Sequence, residues 1–168
     1  MKNHALSSVL LVLVCFPLVD CLSYPYPWDY SRQKPRYSDM VGTYKILKLR
    51  LPSTATVSRK DAQIILRADG TAMLSNVPEF DDFGQRFVCN LSGSAKWELN
   101  DKIDVGWGWS VAFQNYQPAT MPTARECDLR NSIIGGFLVL SRHAPYRIYE
   151  IVGDPDSDTG VELERTGA

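Results

Sequence analysis

The chain has 168 residues, with 18 Lys and Arg against 19 Asp and Glu, for a formal net charge of −1. That balance excludes the long-range basic field by which a protein draws in a polyanion, so no nucleic acid partner is expected. The length suits a single domain with a true core.

The first 21 residues have the layout of an export segment. Met1-Lys2-Asn3-His4 is a short charged start, Ala5 to Val19 is an apolar run without charge, and Asp20-Cys21 closes it. The run is too short to span a bilayer comfortably, which fits a secretory signal. Three outcomes stay open. Leu18-Val19-Asp20-Cys21 resembles a bacterial lipoprotein box, with Asp20 where that box carries a small neutral residue. Cys21 would then be lipidated. Alternatively, signal peptidase cuts after Ser23, or the segment is kept as an anchor. Each places the body in a cell envelope, membrane-anchored or periplasmic. The expected partner is the membrane, through an N-terminal lipid or anchor.

Export also decides how the cysteines are read. Cys15 and Cys21 belong to the leader, and Cys89 and Cys127 remain in the body. In an oxidising compartment two such cysteines are expected to pair. A bridge closing that loop is worth about 4 kcal/mol in the chain-entropy picture. Two buried thiols are the alternative.

Residues 22–41 read as a tether. Tyr24-Pro25-Tyr26-Pro27-Trp28 interleaves aromatics with prolines, and Pro35 follows. Proline removes backbone donors and favours extended polyproline II. The aromatics could equally pack on the domain. Arg32, Lys34 and Arg36 could meet anionic headgroups, although a solvated linker is the plainer reading.

From Gly42 to Ala168 the dominant period is two, the mark of strands. Thr43–Leu51 changes phase near Ile46–Leu47, which predicts a bulge. Asp61–Arg67 and Thr71–Ser75 flank Asp69-Gly70, a strong hairpin turn. A loop is expected over 76–84. Arg86–Leu91 and Ser94–Leu99 read as two strands around Ser92-Gly93. Lys102–Gln114 is the clearest strand, with Ile103, Val105, Trp107, Trp109, Val111 and Phe113 alternating on one face. A long polar loop is expected over 115–130. Ile133–Leu140 is a dense apolar run. Arg147–Val152 and Val161–Arg165 close the chain as a hairpin. No helix of globular length shows the 3.6-residue period. Sequential hairpins predict an all-β, up-and-down antiparallel barrel of about eight or nine strands, whose closure abolishes exposed sheet edges.

Several short motifs point the same way. Gly42-Thr43-Tyr44 resembles the Gly-x-Trp opening of the calycin or lipocalin-like group. Leu66-Arg67-Ala68-Asp69-Gly70-Thr71, Gly93-Ser94-Ala95-Lys96-Trp97 and the ending through Glu164-Arg165 resemble uncharacterised bacterial envelope proteins of that organisation. The resemblance covers about residues 40–165, the extent of the strand pattern. It implies a lipocalin-like barrel, which either fills with side chains or holds one small ligand. Tyr44, Trp107, Trp109 and Phe113 are the candidates for lining such a site. The same aromatics could simply fill the core.

Catalytic chemistry finds little support. His143 is the one histidine outside the leader, so a centre built from several histidines is excluded. No Gly-x-Ser-x-Gly elbow is present. A Cys–His dyad using His143 would need a thiol that a disulfide consumes. Asp154, Asp156 and Asp158 alternate as in a calcium loop, but Gly160 and Arg165 depart from the EF-hand pattern, and a solvated turn is the simpler reading. Glu79 with Asp81 and Asp82 reads as a polar loop. No cofactor is expected. The sequence therefore predicts an exported, non-enzymatic binding protein with a cavity for a small apolar or amphipathic molecule. A solid structural or interaction barrel is the alternative.

Overall fold

The computed structural model describes residues 30–51, 57, 61–80, 87–101, 108–119, 136–141, 143–153 and 159–167. A short helix, α1 (Tyr37–Met40), leads into eight strands. These are β1 (Gly42–Arg50), β2 (Gln63–Leu66), β3 (Thr71–Phe80), β4 (Phe87–Asn100), β5 (Ser110–Pro118), β6 (Phe137–Leu140), β7 (Arg147–Ile151) and β8 (Gly160–Thr166). Each pairs antiparallel with the next, and β1 also pairs with β8, so the sheet closes into a barrel. The all-β, up-and-down barrel expected from the sequence is the fold observed.

Alternation explains closure. Tyr44, Ile64, Leu66, Ala72, Leu74, Val111, Phe137, Val139, Ile148, Val161 and Leu163 are each at most 1% exposed, and they form one core cluster. Each large aliphatic or aromatic side chain moved from water into this interior stabilises the fold by about 2 kcal/mol. The expected phase change in β1 is present, as its register against β8 shifts between Ile46 and Lys48.

Four expectations need correction. Ser92-Gly93 is not a turn, because β4 runs unbroken from Phe87 to Asn100. The glycine answers to a neighbouring strand: a Cβ at 93 would lie 2.2 Å from the carbonyl oxygen of Gln117. The loop expected over 76–84 is strand as far as Phe80. Asn76 takes a φ of 50° there, and the register against β4 shifts between Leu74 and Val77. That bulge returns Val77 to the interior.

The strand expected over 102–114 is displaced. β5 starts at Ser110 and continues through Pro118, with Asn115 at a φ of 52°. Residues 102–107, including Trp107, lie outside the described residues.

The tether expected over 22–41 is shorter than its pattern suggests. From Tyr30 onward the chain packs on the barrel. Tyr30 forms a β-bridge with Leu140, and Tyr30, Leu138 and Tyr149 make a second apolar cluster. Ser31 N–H donates to the Val139 carbonyl at 3.0 Å, and its own carbonyl accepts from Trp109 N–H at 3.1 Å. Val139 N–H donates in turn to the Trp109 carbonyl at 2.8 Å. Ser31 thus links β6 to the residue that precedes β5. Lys34 Nζ lies 5.2 Å from the Trp109 ring centre. Residues 22–29 lie outside the described residues.

Candidate functional site

The two ends of the barrel are built differently. At one end α1 closes the bore. Met40 is fully buried, and its carbonyl accepts a hydrogen bond from the Tyr44 hydroxyl at 2.8 Å. Burial pushes that hydroxyl's pKa well above the ordinary tyrosine value, and the positive charge of Arg165 offsets part of the rise. Arg165 Nη1 donates to the Asp39 carbonyl at 3.1 Å, holding the helix to β8. Tyr37 stacks on Trp97 with ring centres 4.1 Å apart, and Trp97 Nε1 donates to the Arg67 carbonyl at 2.9 Å. The Asp69-Gly70 turn sits beside this plug. Asp69 Oδ1 accepts from Thr71 Oγ1 at 2.6 Å and Thr71 N–H at 2.9 Å, and these bonds lower its carboxyl pKa.

The sequence candidates for ligand contact divide between places. Tyr44 and Phe113 lie in the core cluster, Phe113 edge-on to Phe137 at 5.7 Å between ring centres. Trp109 is half-buried at the margin of that cluster, next to Ser31 and Lys34. Cys89 lies on β4 and packs against the core. Trp107, Cys21 and Cys127 lie outside the described residues, as do Asp154, Asp156 and Asp158. His143 is exposed between β6 and β7, at the α1 end, whereas Cys89 is near the opposite end of the bore. Among the described residues no three His, Cys, Asp or Glu side chains gather as a metal-binding set.

The end away from α1 holds two residues that sequence reasoning did not bring together. Glu79 is the penultimate residue of β3 and Glu150 the penultimate residue of β7. Their strands are four apart in the ring of eight, so they face each other across the bore. Glu150 shares its strand phase with Ile148 and Val152, both in the core, and is 8% exposed. Glu79 shares its phase with buried Val77 and pairs in register with Cys89. Oε2 of each carboxyl is buried, and that of Glu150 meets no hydrogen-bond partner.

Burial lifts the Glu150 carboxyl well above the usual carboxylate range, and the charge of Glu79 lifts it further. Tyr116, whose hydroxyl donates to the Ser92 carbonyl at 2.9 Å, lies close enough to feel the same charge. Val152 shares the strand phase of Glu150, Phe80 follows Glu79, and Leu49 pairs in register with Val161, as Glu150 does; all three pack in or against the core. A carboxyl enclosed this way is ready to meet a hydrogen-bond donor or a cation, since leaving it unmatched is costly.

No family model, curated protein or solved structure matches this chain.

Proposed function

We propose that this is a non-enzymatic binding barrel holding a small amphipathic molecule in a lipocalin-like cavity at the end away from α1. The observation that carries the reading is Glu150, a buried carboxyl on the inward face of a closed barrel with one oxygen unmatched. A purely structural interior has no use for such a group, since burying a polar atom without a partner costs about 1–3 kcal/mol. The ligand's polar group would face the carboxyls, and its apolar part would rest on Leu49, Phe80 and Val152. Tyr44 and Phe113 then form the floor of the site, while Trp109, which precedes β5 at the α1 end beside Ser31, stands outside it.

The rival reading is a solid barrel with a structural or interaction role. Complete burial of Tyr44, Ile64, Phe137 and Ile148 favours it for the α1 half. Native mass spectrometry of the protein purified from its own host separates the two. An adduct released on denaturation supports the carrier, and a bare barrel supports the solid form.

The proposal extends to location. The apolar leader supports export to a bacterial envelope, with Cys21 lipidated and Cys89 bridged to Cys127. Unchanged membrane fractionation of Cys21→Ser would rule out lipidation. Two free thiols in the unfolded, unreduced body would rule out the bridge.

A further inference from the structure

We propose that residues 30–35 form a displaceable strap wedged into the barrel wall at the β5–β6 seam, and that release of the strap parts the wall there. The strap is where the chain upstream of the barrel acts on the barrel's closure.

The hydrogen bonds at the seam carry the inference. Among the described residues β5 and β6 pair at Ser110 with Leu138 and at Val111 with Phe137, whereas β3 and β4 pair from Thr71 to Phe80. Continued by one residue, that register sets Trp109 opposite Val139. An opposed hydrogen-bonded pair in an antiparallel ladder exchanges two bonds, one in each direction. Trp109 and Val139 make the first, from Val139 N–H to the Trp109 carbonyl. The return bond is replaced: Trp109 N–H donates to the Ser31 carbonyl, and Ser31 N–H donates to the Val139 carbonyl. The Ser31 main chain thus stands between two groups that would otherwise meet. One residue further along, Leu140 of β6 pairs with Tyr30 of the strap.

The seat is shaped for a main chain. Gly108 has a φ of 146°, and a Cβ there would lie 2.9 Å from the Ser31 carbonyl oxygen. Only glycine leaves room for so close an approach. The apolar hold on the strap is Tyr30, which packs with Leu138 and Tyr149 in a cluster separate from the main core. The seam itself is lined inward by Val111 and Phe137, both fully buried in that main core. A parted seam therefore leads from the outer wall into the bore. Its use as a side entrance for a ligand rests on the binding reading above, but the coupling of strap to seam does not.

The chain supplies the input. Residues 20–29 alone separate Tyr30 from the apolar run Ala5 to Val19. Attachment of that run bears on Tyr30 and Ser31 before it bears on any strand of the barrel.

The test is residue-resolved amide hydrogen exchange on the full chain, comparing the unaltered protein with Tyr30→Ala and Ser31→Pro. The first removes the apolar hold, and the second deletes the N–H that bonds to Val139. Two amides separate the possible results. Trp109 N–H bonds to the strap, so its exchange reports release. Val139 N–H bonds to the Trp109 carbonyl, so its exchange reports parting of the seam. Each variant should speed exchange at both amides about tenfold or more and leave the β3–β4 ladder unchanged, as a local opening does. Arg32→Gln, an exposed change on the strap, should alter neither amide. Faster exchange at Trp109 with Val139 still protected means that the seam closes without the strap, and overturns the proposal. Unchanged exchange at both amides overturns it, as does an equal loss of protection in every strand. Should neither variant fold, the unaltered protein decides: Trp109 and Val139 should exchange together and ahead of the β3–β4 ladder, and Val139 exchanging only with that ladder overturns the proposal. A bare barrel in the native adduct measurement removes the side entrance and leaves the strap result standing.

Discussion

The α1 end and the far end of this barrel share one sheet but obey different rules. At the α1 end Tyr44 is matched to Met40, Trp97 to Arg67 and Asp69 to Thr71, while Arg165, whose Nη1 holds Asp39, keeps its Nε buried without a partner. Met40 and Tyr44 there are fully buried. At the far end two carboxyls enter the same bore, and one keeps an unmatched oxygen. Sheet geometry is continuous between the two, so the difference lies in which side chains the inward phase carries. The α1 end buries a cation that is tied to the helix, and the far end buries a carboxyl whose Oε2 has no hydrogen-bond partner.

Substitutions break this contrast in graded fashion. Trp97→Ala should be the most damaging, costing about 3–5 kcal/mol in chemical denaturation, because it empties a large core volume and also removes the Tyr37 stack and the bond to Arg67. Gly93→Ala should follow, at about 1–3 kcal/mol, since the added methyl meets the β5 backbone rather than a movable side chain. Tyr44→Phe keeps the ring and deletes the hydroxyl, leaving the Met40 carbonyl without that donor. A loss of about 1–2 kcal/mol is expected from the same denaturation series. Glu162→Gln weakens the ion pair with Arg147 on the outer wall and should cost under about 1 kcal/mol, because Arg147 is partly exposed and solvent screens the pair. A Glu162 effect as large as that of Trp97 would mean that the weight of stability lies outside the bore.

Much of the fold was legible in the sequence because one-sided burial leaves a period of two. The turn at Asp69-Gly70 and the phase change at Ile46 could be read directly. Ser92-Gly93 misled because glycine serves either a turn or a close backbone approach, and only the neighbouring strand decides between them. Asn76 and Asn115 hid strand continuations, since a bulge breaks alternation much as a loop does. Residues 30–41 resembled a tether because proline and aromatics suit both extended linkers and straps packed on a surface. The carboxyl pair was half visible. Ile148-x-Glu150-x-Val152 places Glu150 on the inward phase of its strand, a signal available in the sequence alone. Its partner was obscured because Glu79 was assigned to a loop, and the meeting of β3 with β7 depends on closure, which no local pattern encodes.

The contrast between the ends comes down to Glu150, and pH tests it directly. A carboxyl whose pKa is raised in the folded state binds more protons folded than unfolded across the interval between the two values. Stability is therefore greatest below the ordinary glutamate range and falls as pH rises through the folded value. The decisive measurement is denaturant unfolding of the protein and of Glu150→Gln from about pH 4, near the ordinary glutamate value, to about pH 8. Stability of the unaltered protein should decline over that interval relative to the variant, whose curve should be flatter and lie higher at the upper end. Parallel curves would place Glu150 in water and contradict a buried acidic site inside the barrel.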